Sequence, residues 1–144
     1  MYRISTVAAI AFIPWVLGCT KSNLDIVPVR GRVTYGGGDW PAGGNLYFQP
    51  KEAASQNLPL RPGLASFATD GKFVVKTGQR NGLVPGTYGL RVESWEVAPT
   101  MSTPGSGKSW VASEFLQGPT PNYEVVVPID SQGVDLTIDI PKRP

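Results

Sequence analysis

"VPVRGRVTY", residues 27–35, alternates apolar and polar side chains with a period of two. Val29, Gly31, Val33 and Tyr35 fall on one side, and Arg30, Arg32 and Thr34 on the other. That is the pattern of a half-buried strand. The same reading extends in both directions. "GGGDWPAGG" (36–44) is a glycine-rich loop, and "NLYFQP" (45–50) is a second strand with Leu46 and Phe48 on one face. "KEAASQNLPLRPG" (51–63) has two prolines and no helical period, and reads as an irregular connection. "LASFATDGKFVVKT" (64–77) reads as a hairpin, because Asp70-Gly71 suits the positive φ values of a type I′ turn. "LVPGTYGLRVESW" (83–95) predicts a Pro-Gly turn and a long strand. In it Tyr88, Leu90 and Val92 face one way, and Arg91, Glu93 and Trp95 the other.

Residues 96–121 form a long excursion containing "APTMSTPGSGKS" and "QGPTP", with a short helical turn at "VASEFL". "NYEVVVP" (122–128) and "VDLTIDI" (134–140) read as a closing pair joined by "IDSQG". Val134, Leu136, Ile138 and Ile140 make its apolar face, and Asp135, Thr137 and Asp139 its wet one. About seven strands with regular turn signals predict an all-β chain, an antiparallel β-sandwich. No fixed-period repeat suggests a propeller or solenoid.

Composition supports one globular domain. The 144 residues are 41% hydrophobic and 17% charged, with 17 glycines and 14 prolines punctuating short apolar runs. The net charge of +2 is spread along the chain, with no basic block to bind nucleic acid. Histidine is absent, which removes His-dependent triads and the usual imidazole metal ligands. One cysteine, Cys19, can form no internal disulfide or thiolate cluster. No cofactor is expected.

The position of Cys19 carries the functional reading. "MYRISTVAAIAFIPWVLGC" has one early positive charge, Arg3, and an apolar stretch from Ile4 to Leu17. That stretch is shorter than the roughly 20 residues a membrane-spanning helix needs and has signal-peptide length. Val16, Leu17, Gly18 and Cys19 resemble a bacterial lipobox, although Leu17 is bulkier than the usual Ala, Ser or Thr. The resemblance implies cleavage between Gly18 and Cys19, a diacylglycerol on the Cys19 thiol and an acyl chain, such as palmitate, on its new amino group. Two or three chains anchor stably where one is marginal. The alternative is a free cysteine beside an uncleaved anchor. Thr20, and not Asp, follows the cysteine, which by analogy with Gram-negative sorting favours the outer membrane. The predicted units are a signal peptide at 1–18, a lipidated tether at 19–26 and a folded domain at 27–144.

The folded part resembles the carboxypeptidase regulatory-like domain, a transthyretin-like, immunoglobulin-like sandwich. The matching stretches are "VRGRVTYGGGDWPAGGNLYFQP", "ATDGKFVVKT" and "LVPGTYGLRVE". They cover residues 27–95 well and the last strands loosely, and the hairpin is one residue shorter than the family's. Small lipoproteins of this layout are typical of planctomycete-type bacteria. The physics of single residues agrees. Gly31 permits a close backbone approach, and Tyr88 after Pro85-Gly86 is placed to act as a tyrosine corner.

Enzymatic readings fare poorly on the sequence. A transthyretin relative hydrolyses 5-hydroxyisourate with histidines and a tyrosine-rich C-terminal tetrapeptide, whereas this chain lacks histidine and ends in "PKRP". "TPGSGKS" (103–109) misses the phosphate-loop register, since the residue five before Gly107 is Ser102. Asp135, Asp139, Glu93 and Asp70 read as solvated, and no calcium loop is present. Trp40, Trp95 and Trp110 are the candidate binding residues. If exposed, they offer stacking surfaces for sugars or a partner protein. Otherwise Trp95 and Trp110 cover each other, or the excursion folds over the sheet.

The expectation is therefore a non-enzymatic, exported, lipid-anchored envelope protein with a binding, adhesion or scaffolding role. The alternative is a carbohydrate-binding module. Expected partners are membrane lipid through acylated Cys19 and an envelope protein or polysaccharide.

Overall fold

The computed structural model describes residues 25–120 and 122–144. Among them the regular secondary structure is almost all strand. In order these are β1 (Val29–Tyr35), β2 (Gly44–Ala53), β3 (Gly63–Phe67), β4 (Lys72–Val74), β5 (Lys76–Thr77), β6 (Arg80–Asn81), β7 (Gly86–Glu93), β8 (Trp95–Val97) and β9 (Lys108–Ser109). A single helical turn, α1 (Ser113–Leu116), precedes β10 (Glu124–Val127) and β11 (Val134–Ile140). One sheet runs β11-β1-β4, a second runs β10-β7-β2-β3-β5-β6, and β8 and β9 pair by themselves.

The alternation in 27–35 is realised in β1. Val29, Val33 and Tyr35 are buried, while Arg30 and Arg32 reach solvent. Gly31 sits opposite Leu136 of β11, where a Cβ would overlap the Leu136 carbonyl oxygen. The strand thus needs a residue without a side chain at this close backbone approach. The β1–β11 pairing is parallel, a departure from the expected all-antiparallel arrangement. A parallel pair needs a long connection, and nearly the whole domain lies between these two strands.

Two expected pairings are corrected. A turn forms at Asp70-Gly71 but not of type I′: of the two residues only Gly71 has positive φ, at 73°, and its N–H donates to the Ala68 carbonyl at 2.9 Å, which puts Thr69 and Asp70 at the centre of the turn. Its arms do not make a simple hairpin, because β4 pairs with β1 while β3 pairs with β2 and β5. The chain changes sheet at Val75. That residue is fully buried, donates to Val29 O at 2.9 Å and accepts from Gly82 N at 2.7 Å. Likewise β10 and β11 do not pair with each other. β10 joins β7 and β11 joins β1, so residues 128–133 cross between sheets. Both strands still bury alternate aliphatics, which is all that their pattern demands. The expected irregular connection begins later than its sequence suggests, since β2 continues through Ala53 across a register shift at Pro50/Glu52.

The inner faces of the two larger sheets share one apolar core. Val29, Val33 and Phe73 from the first sheet join Leu46, Phe48, Leu90, Val92 and Val125 from the second. Phe48 and Phe73 meet across the layers at 6.3 Å between ring centroids. Tyr88 is fully buried, and its hydroxyl donates to the Val84 carbonyl at 2.7 Å, the predicted corner. Burial pushes its phenol pKa up to about 12, so it stays a neutral donor through the physiological range.

On the wet side of β1 and β11, Arg30 donates to Asp135 at 2.8 Å. Asp139 accepts from the Thr34 hydroxyl at 2.6 Å and the Gly37 N–H at 2.7 Å. The Arg30 hydrogen bond and charge hold the Asp135 carboxyl below its usual range, and the Thr34 and Gly37 donors do the same for Asp139. A carboxylate depressed in the folded state stabilises above its unfolded pKa, and loses that contribution as pH falls through its folded value. Stability is therefore expected to drop below about pH 4. In Asp139→Asn the drop is shallower, which denaturant midpoints measured from pH 6 to pH 2 would show.

Candidate anchoring and binding sites

Gly18 and Cys19 lie outside the described residues, as do residues 20–24 of the expected tether. The structure does fix where the chain enters the fold. Val27 exchanges both backbone hydrogen bonds with Leu83, at 2.9 and 3.0 Å. Around this clamp, Asp25, Ile26, Leu58, Arg80, Ile129 and Asp130 line a groove of about 570 Å³. β1 and β7 both start at this end and run toward the other, where Tyr35, Trp40 and the β8–β9 pair lie. The domain thus has an entry end and a far end. No described helix is long and apolar enough to cross a membrane.

The three tryptophans do not form one platform. Trp40 is only 3% exposed. Its indole N–H donates to the Val33 carbonyl at 3.0 Å, and its ring packs on Tyr35 and Phe67 at 4.9 and 4.8 Å. The glycine loop that suggested exposure instead turns back on itself, with Tyr35 N–H bonded to Gly38 O at 2.9 Å. Asp39 pairs with Arg32 at 2.7 Å, and Trp40 N–H reaches Thr69 O at 2.9 Å. Trp40 therefore closes the far end of the core, and its candidacy as a stacking residue is corrected.

Trp95 and Trp110 are half-buried. Trp95 lies opposite Ser109 in the β8–β9 pair. Trp110 packs on the core margin, its N–H bonded to Ser94 O and its carbonyl to the Tyr35 hydroxyl, both at 2.9 Å. Its indole N–H is enclosed and has no partner among the described residues. Beside it a cleft of about 370 Å³ is lined by Tyr35, Glu96, Lys108, Ser109 and Arg143. Glu96 and Lys108 pair there at 2.7 Å. The excursion does fold over the sheet, as the covering alternative requires, and the expected helical turn appears as α1 with Phe115 buried. Lys108 and Ser109 of the phosphate-loop-like stretch are the strand β9, not the start of a helix.

Sequence reading missed a third cluster, on the outer face of the second sheet. Tyr47 stands opposite Arg91, whose guanidinium lies 4.5 Å from the Tyr47 ring centroid. Glu93 pairs with Arg91 and accepts from the Tyr47 hydroxyl at 2.9 Å. Tyr47 also borders a groove of about 580 Å³ with Pro62, Leu64, Val74 and Lys76, where Leu64 and Val74 are half exposed. Alternation assigned Arg91 and Glu93 to the outward face. Only the β2–β7 register brings Tyr47 to them.

No family model, curated protein or solved structure matches this chain.

Proposed function

We propose that this is an exported lipoprotein, a non-enzymatic envelope protein held at a membrane by acyl chains on Cys19. The observation that carries the reading is Val16-Leu17-Gly18-Cys19 at the end of a short apolar segment, six residues before the described fold begins. The domain beyond it is an immunoglobulin-like, transthyretin-like sandwich of the carboxypeptidase regulatory-like type. Two sheets around one core, the Tyr88 corner and the close approach at Gly31 support that assignment. The domain serves binding, adhesion or scaffolding. β11 suits this role, being a seven-residue strand at the edge of its sheet. Such an edge accepts an extended segment of a partner protein as an added strand.

The test is the intact mass of full-length protein expressed in a bacterial host with lipoprotein processing. A mature chain starting at Cys19 with added acyl mass is expected. Cys19→Ser is expected to carry no acyl mass. A chain that retains residues 1–18 without acyl mass overturns the reading.

The cleft beside Trp110 supports a second reading, carbohydrate binding, now confined to Trp95 and Trp110. Addition of envelope polysaccharide would then change the intrinsic fluorescence of the protein, and Trp110→Ala would abolish the change.

A further inference from the structure

The lipid anchor constrains which end of the domain meets the membrane. Six residue steps separate Cys19 from Asp25, and a chain extends by at most about 3.5 Å per residue. Asp25 is therefore held within about 21 Å of the anchored lipid, less than the roughly 23 Å that the seven residue steps of β7 span from one end of the domain to the other.

The end so tethered carries an apolar group that the core does not use. Ile129 is 49% exposed. It precedes Asp130, whose φ of 61° is the left-handed turn conformation that aspartate adopts more readily than most side chains. Leu58 and Ile26, both half-buried, line the same groove. Arg80 lies among them with Asp25 and Asp130.

We propose that this entry end rests on the interface of a zwitterionic bilayer, with Ile129 entering the headgroup boundary beside Leu58 and Ile26. The proposal rests on acylation of Cys19. With Lys21 of the tether and Arg80 against Asp25 and Asp130, this end carries no net charge to draw it to an anionic surface, while the arginine suits the phosphate of a zwitterionic headgroup. The groove is largely polar, so the apolar part of the contact is Ile129 with the margins of Leu58 and Ile26, and it is this insertion that is insensitive to salt. The domain then stands with Tyr35, Trp110 and the β8–β9 pair facing away from the membrane.

The processed lipoprotein supplies its own labelling background, because its one cysteine is acylated. Ile129→Cys and Met101→Cys would each carry an environment-sensitive dye, Met101 being fully exposed beyond the far end. Both proteins would be reconstituted into phosphatidylcholine vesicles containing a lipid-borne quencher. Blue-shifted emission and several-fold stronger quenching at position 129 than at 101, unchanged at high salt, are expected. A dye at Gln132→Cys should also be quenched, and adding Ile129→Asp should remove that quenching while the protein still floats with vesicles. Equal weak quenching at 129 and 101 in protein that floats overturns the docking and leaves the anchor intact. Quenching that needs anionic lipid and disappears in salt overturns the apolar contact. Failure to float sinks the anchor and the docking with it.

Discussion

Gly71→Ala is expected to destabilise the domain by about 3 kcal/mol, or about 12 °C in Tm for a chain of this size. Two costs add. The residue sits at φ 73°, where an L side chain is strained, and a Cβ there would overlap the Val33 carbonyl oxygen. Val33 cannot easily yield, because its N–H is bonded to Gly71 O at 2.9 Å and its carbonyl accepts from Trp40 at 3.0 Å. Gly71→Asn separates the two costs, since asparagine tolerates the left-handed conformation. If overlap dominates, Asn rescues little of the loss. If conformation dominates, Asn recovers most of it. Urea unfolding followed by circular dichroism would distinguish the two.

Trp40→Ala is the second large effect, expected at about 3–5 kcal/mol. The substitution empties a volume between Tyr35 and Phe67 and leaves the buried Val33 carbonyl without its indole donor. Trp110→Ala, at the half-buried margin of the core, should cost clearly less. Differential scanning calorimetry of the two variants would rank them. A Trp40→Ala protein as stable as the parent but deficient in polysaccharide binding would contradict this placement.

These two residues also show what the sequence made legible. Alternation assigned inner and outer faces correctly in β1, β2, β7 and β11, because burial depends on the period of each strand alone. It identified Asp70-Gly71 as a turn for the same local reason. It could not say which strand pairs with which. A period of two is satisfied equally by a hairpin and by a crossover between sheets, and the arms around Gly71 and around residues 128–133 took the second course. Trp40 was misplaced because a glycine-rich loop suggests exposure, while the bonds that fold it back come from backbone groups, Gly38 O and Thr69 O, that carry no sequence signature. The Tyr47–Arg91–Glu93 cluster depends on the register between strands more than 40 positions apart, as the Tyr47–Glu93 separation of 46 shows.

The β1–β11 pairing bears on the order of folding. Its cross-strand contacts join residues about a hundred positions apart, as in Arg30 and Asp135, which are separated by 105. A chain emerging N-terminus first presents β1 early and must wait for residues 134–140 before that strand acquires the neighbour on one side. Contacts of such range slow folding, since the intervening loop must close before they form. β1 is therefore sealed on that side only when β11 arrives.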